Sequence, residues 1–179
     1  MTEFAEVKPN EIKTLAELAS EIWHEYWPCI LSDGQIDYMV EKFQSEKAIN
    51  NQIKKGNYTY FYIIYSSQKA GYIGLSKEQD YLFLSKVYIK KEYRHKGIGT
   101  KAFDFIKQYG KKNGKNKIRL TVNKYNKNTI NAYEKWGFET VDSVVTDIGN
   151  GFVMDDYIME YVIWKLTSKS QQNELNLKY

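Results

Sequence analysis

The sequence predicts a single α/β (α+β) domain, and three features carry that prediction. A helical block opens the chain, the residue period then changes to that of strands, and strand, glycine loop and helix alternate through the second half. With 179 residues and 42% hydrophobic side chains, the chain can bury one core without disulfides or a structural metal. We place the domain at residues 1–166 and a loose polar tail at 167–179.

Ile12, Leu15, Leu18, Ala19, Ile22 and Trp23 share one face of a first helix, which Pro28 stops near Trp27. Ser32 followed by Gln35 is a capping-box pattern ahead of Ile36, Met39, Val40 and Phe43, so a second helix runs to about Phe43. Ser45 caps a short third helix through Ala48, Ile49 and Ile53, and Gly56 stands where a left-handed residue would close it. Tyr58 to Tyr65 is dense in aromatic and β-branched residues, Ser66 to Lys69 reads as a turn, and Ala70 to Leu75 returns as the second arm of an antiparallel hairpin. A third strand, Tyr81 to Ile89, leads into Gly97-Ile98-Gly99, after which Ile98, Ala102, Phe105, Ile106 and Tyr109 line a helix closed by Gly114. Ile118 to Val122 is a strand. Thr129 to Trp136 is a helix capped by Asn128 and closed by Gly137, and Phe138 begins another strand, which completes a βαβα unit. Gly149-Asn150-Gly151 turns Val141 to Ile148 back into Phe152 to Trp164.

Composition excludes several classes. The longest apolar stretches are too short to cross a bilayer, and Met1 to Asn10 lacks the basic start and apolar run of a signal peptide, so a cytoplasmic protein without a membrane partner is expected. A lone cysteine, Cys29, and two histidines, His24 and His95, offer no metal-ligand spacing, so neither metal nor disulfide is expected. Lysines crowd Lys86 to Lys117 and acids dominate Glu17 to Glu46. The basic region suits a phosphate-bearing ligand and the acidic one a cation, although two solvated faces would give the same pattern. No nucleic-acid partner is expected, because the net charge is only +4 and the basic residues interleave with an apolar helix stripe.

The sharpest local signal is Arg94-His95-Lys96-Gly97-Ile98-Gly99-Thr100, set between a strand and a helix. Two glycines let backbone N–H groups turn inward and a helix N-terminus adds positive potential, which together make an anion cradle. No Gly-Lys-Ser/Thr follows and no third glycine completes a dinucleotide fingerprint, so the pyrophosphate of another ligand is the better reading. Downstream, Asn126 to Phe138 is mostly explained by helix capping and core packing. Tyr133 by itself reads as a packed tyrosine.

Val87-Tyr88-Ile89, the Arg94-x-x-Gly97-x-Gly99 loop, and Asn126 through Tyr133-Glu134-Lys135-x-Gly137-Phe138 together resemble the GCN5-related N-acetyltransferases (GNAT), over roughly residues 58–163. The amino-terminal helices and Gly149 to Met159 are similar to small bacterial, polyamine acetyltransferase-like members. The resemblance implies a GNAT fold: a central mixed, mostly antiparallel sheet flanked by helices, with a splayed central strand that binds acetyl-CoA. It implies acetyl transfer to a primary amine of a small molecule, a polyamine or a protein, and leaves a catalytically weak acetyl-CoA sensor of the same fold as the alternative. By the same resemblance Val87, Tyr88 and Ile89 hold the pantetheine arm, and Arg94, His95, Lys96, Gly97, Ile98, Gly99 and Thr100 wrap the pyrophosphate. Asn126 then contacts the arm and Tyr133 is the general acid. A phenol suits that role, since it can donate a proton to a leaving thiolate at hydrogen-bond range.

One departure stands out. Related enzymes often carry a glutamate on the central strand, where this chain reads Leu84-Ser85-Lys86, so the base is open, with His24 and Glu25 as candidates. Cys29 could relay the acetyl group, but it follows Trp27-Pro28 near a helix end rather than a base, so direct attack by the amine is retained. Trp23, Glu25, Tyr26 and Trp27, interleaved with Glu21, Asp33 and Asp37, are the expected walls of a cationic acceptor site. A monomer and a homodimer fit the sequence equally.

Overall fold

The computed structural model describes residues 1–164, and the polar tail expected at 167–179 lies outside them. The strands are β1 (Thr2–Glu6), β2 (Tyr58–Tyr65), β3 (Gln68–Lys77), β4 (Leu82–Ile89), β5 (Lys117–Asn123), β6 (Glu139–Gly149) and β7 (Phe152–Val162). They form one sheet in the order β1-β2-β3-β4-β5-β7-β6. Only β4 and β5 are parallel, so the sheet is mixed and mostly antiparallel. The helices are α1 (Ile12–Tyr26), α2 (Asp33–Gln44), α3 (Glu46–Lys55), α4 (Ile98–Lys112) and α5 (Lys127–Lys135).

Strand alternation sorts the side chains into two layers. In β2, Phe61 and Ile63 join the core beneath α4, whereas Tyr60 and Tyr62 pack with Leu15, Ile22 and Ile49 of α1 and α3. The tyrosines on the second face end in polar partners: the Tyr62 hydroxyl donates to Glu11 O at 3.1 Å and Tyr60 to Gln52 Oε1. Tyr72 of β3 receives the Trp23 indole N–H at 3.0 Å.

The hairpin turn between β2 and β3 is only Ser66-Ser67, both with positive φ (49° and 64°), a type I′ pair whose twist matches the strands. Three local expectations change. Gly56 keeps φ at −118°, and the left-handed residue that ends α3 is the next one, Asn57, at 55°. α5 starts earlier than expected, with Asn126 rather than Asn128 at its cap position. β1 has no counterpart in the sequence prediction, and it is held at the sheet edge by β2 and by Phe4 stacking on Phe105 at 4.5 Å.

Candidate active site

Two irregularities in β4 build the site. Gly74 faces Lys86 while Leu75 faces Leu84, so Ser85 is an extra residue on β4, a β-bulge. The bulge lets Leu82 and Leu84 before it, and Val87 and Ile89 after it, lie on the α4 side despite their odd spacing. Lys86 and Tyr88 are thereby turned to the side of α1–α3. The second irregularity is the pairing with β5, which stops after Leu82–Ile118 and Phe83–Arg119. Beyond that point the strands part. Lys90 N donates to Ala70 O at 2.9 Å. By antiparallel alternation the backbone groups of Tyr88 then face β3, and those of Val87 and Ile89 face the gap.

The gap opens into a cavity of about 1070 Å³, room for a long ligand and an acceptor together. Its wall includes Trp23 and Tyr26 of α1 and Trp27 just after it, Val87, Tyr88 and Ile89 of β4, and Arg94, His95, Ile98 and Gly99 of the loop and α4. Asn126, at the cap of α5, and Tyr133 within that helix complete it. Most of the residues singled out from sequence therefore meet in one place. Lys96, Gly97, Thr100 and Glu25 do not line the wall.

At the α4 end, His95 and Gly97 both have positive φ (61° and 73°), and a Cβ on Gly97 would meet nothing within 4 Å. The loop is thus curled with open space in front of a 15-residue helix, the geometry in which N–H groups and the helix dipole receive an anion. Arg94 donates from Nε to Ile89 O at 2.9 Å, and its guanidinium stacks on Tyr26 at 5.1 Å. Lys96 instead lies over Tyr65 and Tyr93.

Tyr133 is 8% exposed and packs on Trp136 and Phe138. Burial pushes its phenol above the usual range, so it stays protonated at any working pH. Nearby, the Tyr26 hydroxyl donates to Asn126 Oδ1 at 3.0 Å and lies 2.6 Å from Thr129 Oγ1, which ties α1 to the start of α5.

The acceptor side differs from the sequence expectation in its charges. Three of the acids expected there are engaged elsewhere, Glu21 with Lys90 at 2.7 Å, Glu25 with Arg94 at 3.4 Å, and Asp37 with His24 at 2.8 Å, and the fourth, Asp33, does not line the cavity. Neither base candidate, His24 nor Glu25, lines the cavity, and Cys29 is an exposed free thiol away from it. Two residues that sequence reasoning left without a role do line it, Lys86 and Asp156. Lys86 is 6% exposed, donates to Ser85 Oγ at 3.1 Å and sits over the Tyr58 and Tyr60 rings. Burial lowers its pKa to about 7.

A parted parallel strand pair, a curled loop leading into a helix, and a buried phenol thus share one cavity. The acetyltransferase (GNAT) family profile matches residues 17–138. This chain belongs to that family and is an acetyl-CoA-dependent N-acetyltransferase. The spermidine N(1)-acetyltransferase of Thermoplasma acidophilum is 29% identical over 157 residues, 86% of this chain and 95% of that protein. The crystal structure of the PaiA N-acetyltransferase from the same organism, in complex with coenzyme A, superposes with a TM-score of 0.76 at 25% identity, covering 90% of this chain and 99% of that one. The ribosomal-protein-S18-alanine N-acetyltransferase of Escherichia coli shares the fold at 17% identity, with a TM-score of 0.69 over 94% and 97% of the two chains.

Proposed function

We propose that this chain acetylates a small aliphatic primary amine, with spermidine as the first acceptor to test, by direct attack of the amine in a complex holding both substrates. The observation that carries the reading is the gap between β4 and β5, which opens into a cavity lined by residues of the curled loop and by Tyr133. The relationship to a spermidine N(1)-acetyltransferase along most of both chains supports a small polyamine-type acceptor. Acetyl-CoA fits the site: extended backbone is left without a strand partner where an amide-bearing arm would lie, and Gly97 keeps the loop open where a diphosphate would sit.

When bound, acetyl-CoA supplies a thioester whose carbonyl carbon is the electrophile. The backbone groups of Val87 and Ile89 that face the gap are assigned to the arm; Ile89 O is already engaged by Arg94, which leaves its N–H and both groups of Val87. The 94–100 loop holds the diphosphate through its backbone and the start of α4, with Arg94 tethered at its base. Asn126 and Tyr26 fix the wall opposite. Tyr133 Oη donates its hydrogen toward the departing sulfur. A thiol titrates near about 8.5 and a phenol at about 10 or above, so the hydroxyl serves chiefly as a hydrogen-bond donor that completes proton transfer as the sulfur gains charge.

The test is release of free coenzyme A against a panel of polyamines, amino sugars, amino acids and lysine peptides, with product masses read in parallel. A monoacetylated spermidine or related amine at saturable rate is the expected result. Acetylation confined to peptides would overturn the small-acceptor reading.

A further inference from the structure

We propose that Asp156 of β7 is the acceptor-side carboxylate of this enzyme: it holds the incoming ammonium against the β4–β5 gap and takes its proton. The inference rests on the amine-acetylation reading above and names the group that the missing strand glutamate leaves open.

Among the described residues, Asp156 is the one carboxylate on the cavity wall. Of the acids of α1 and α2 that a sequence reading would offer to a cation, Glu21, Glu25 and Asp37 are paired with Lys90, Arg94 and His24, and Asp33 does not line the cavity. Register places Asp156 correctly for the role. It lies directly opposite Asn123, the last residue of β5, and opposite Val144 of β6, and all three line the cavity. Asn123 is four residues past the last contact of β5 with β4, where the strands stand apart, so the Asp156 carboxylate borders the gap. Its Oδ1 is shut off from solvent and accepts no hydrogen bond from the described residues. A buried carboxylate oxygen without a donor is costly unless a ligand supplies one, and an ammonium supplies three.

The surrounding charges agree. Asp155 on the same strand is paired with Lys124, just past β5, at 2.5 Å. Tyr88 of β4 is close enough for its own ionisation to be opposed by the Asp156 charge, and Tyr26 and Tyr133 line the same cavity. Burial, then the neighbouring Asp155, raise the Asp156 pKa to about 6 against a lowering by Lys124. Asp156 is therefore ionised at neutral pH yet a better proton acceptor than an exposed carboxylate.

The proton balance closes. One N–H bond of the acceptor –NH₃⁺ breaks and an O–H forms on Asp156, which frees the nitrogen lone pair to bond the thioester carbon. The C–S bonding pair leaves with sulfur. A second N–H proton ends on that sulfur through Tyr133 Oη, and the Asp156 proton passes to solvent after product leaves. In water the first transfer runs uphill, from an amine of pKa about 10 to a carboxylate. Inside the cavity burial favours the neutral acid and neutral amine over the ion pair, which narrows that gap.

The experiment compares wild type with Asp156→Asn on spermidine and on a fluorinated primary amine that is already neutral at pH 7.5. Saturable stabilisation by acetyl-CoA serves as the check that the variant is folded and cofactor-competent. For wild type, kcat/KM for the ordinary amine should rise with pH through an acid limb near 6, and the variant should lose about 100-fold or more together with that limb. With the neutral amine the deficit should shrink to less than about 10-fold, since no ammonium needs holding or deprotonating. A variant that matches wild type on the ordinary amine, or that is equally impaired on both, overturns the inference while amine acetylation stands. A wild type silent on every amine overturns the reading beneath it as well.

Discussion

Tyr133 and Lys86 are both buried ionisable side chains on the cavity wall, and burial acts on them in opposite directions. It holds the Tyr133 phenol neutral and protonated, as the donor role proposed for it requires. Tyr133→Phe keeps the ring contacts with Trp136 and Phe138 and removes only the hydroxyl. It is expected to lower kcat by about 10²–10³ with little change in acetyl-CoA affinity, as read by steady-state kinetics beside calorimetry. For Lys86 burial favours the uncharged amine, with a folded pKa of about 7 against 10.5 unperturbed. The unfolded chain therefore binds more protons between those values, so this group makes stability rise with pH from about 7 to about 10. Below pH 7 both states are protonated and the whole penalty is present. Lys86→Met should thus stabilise the protein at pH 7 by up to about 4 kcal/mol, with the advantage vanishing near pH 10, as denaturant melts at the two pH values would show.

At the level of elements, two glycines separate packing from ligand space. A Cβ on Gly71 would stand 2.1 Å from Tyr88 O, backbone against backbone between β3 and β4. Gly71→Ala must push β4 away and is expected to cost about 2–4 kcal/mol in a denaturant melt, with the cofactor site displaced as well. Gly97 meets nothing, and its left-handed φ alone should cost about 1–2 kcal/mol in Gly97→Ala, with a larger loss in acetyl-CoA affinity than in stability. The same contrast explains what the sequence disclosed. Ser32 and Ser45 accept from Gln35 N and Ala48 N, as caps legible from three-residue spacings should, and the loop before α4 was readable because its signal is local. The bulge at Ser85 was not, since only the partner strand decides which residue is extra. β1 escaped because five residues with two acids carry too little pattern and are held by β2, far along the chain. Asp156 needed the β5–β7 register to be seen on the wall, and the acids of α1 found partners 69 residues away that no local reading supplies.

Across the whole molecule the gap divides the sheet into β1–β4 and β5–β7, joined through the sheet by only two β4–β5 pairs. Contacts outside the sheet hold the open end. Tyr26 reaches Asn126 and Thr129 from α1, and Tyr38 and Lys42 of α2 both donate to Ile148 O of β6, the first at 2.6 Å. A ligand lying in the gap touches both halves and replaces the missing strand contacts, so it should act as a clasp on the global fold as well as on the loop. At 100 times its dissociation constant, acetyl-CoA stabilises a folded chain that alone binds it by about 2.7 kcal/mol. For a domain of this size that corresponds to a rise in Tm of about 5–10 °C. Amide exchange should slow on both sides of the gap, at Val87 to Ile89 and at Leu120 to Asn123, and not only in the 94–100 loop. Protection confined to the loop would mean that the ligand binds as a surface diphosphate and leaves the gap empty. Tyr26→Phe sharpens the comparison: it removes hydrogen bonds worth about 1 kcal/mol each from the open end, so the free protein should melt earlier while acetyl-CoA recovers part of the difference.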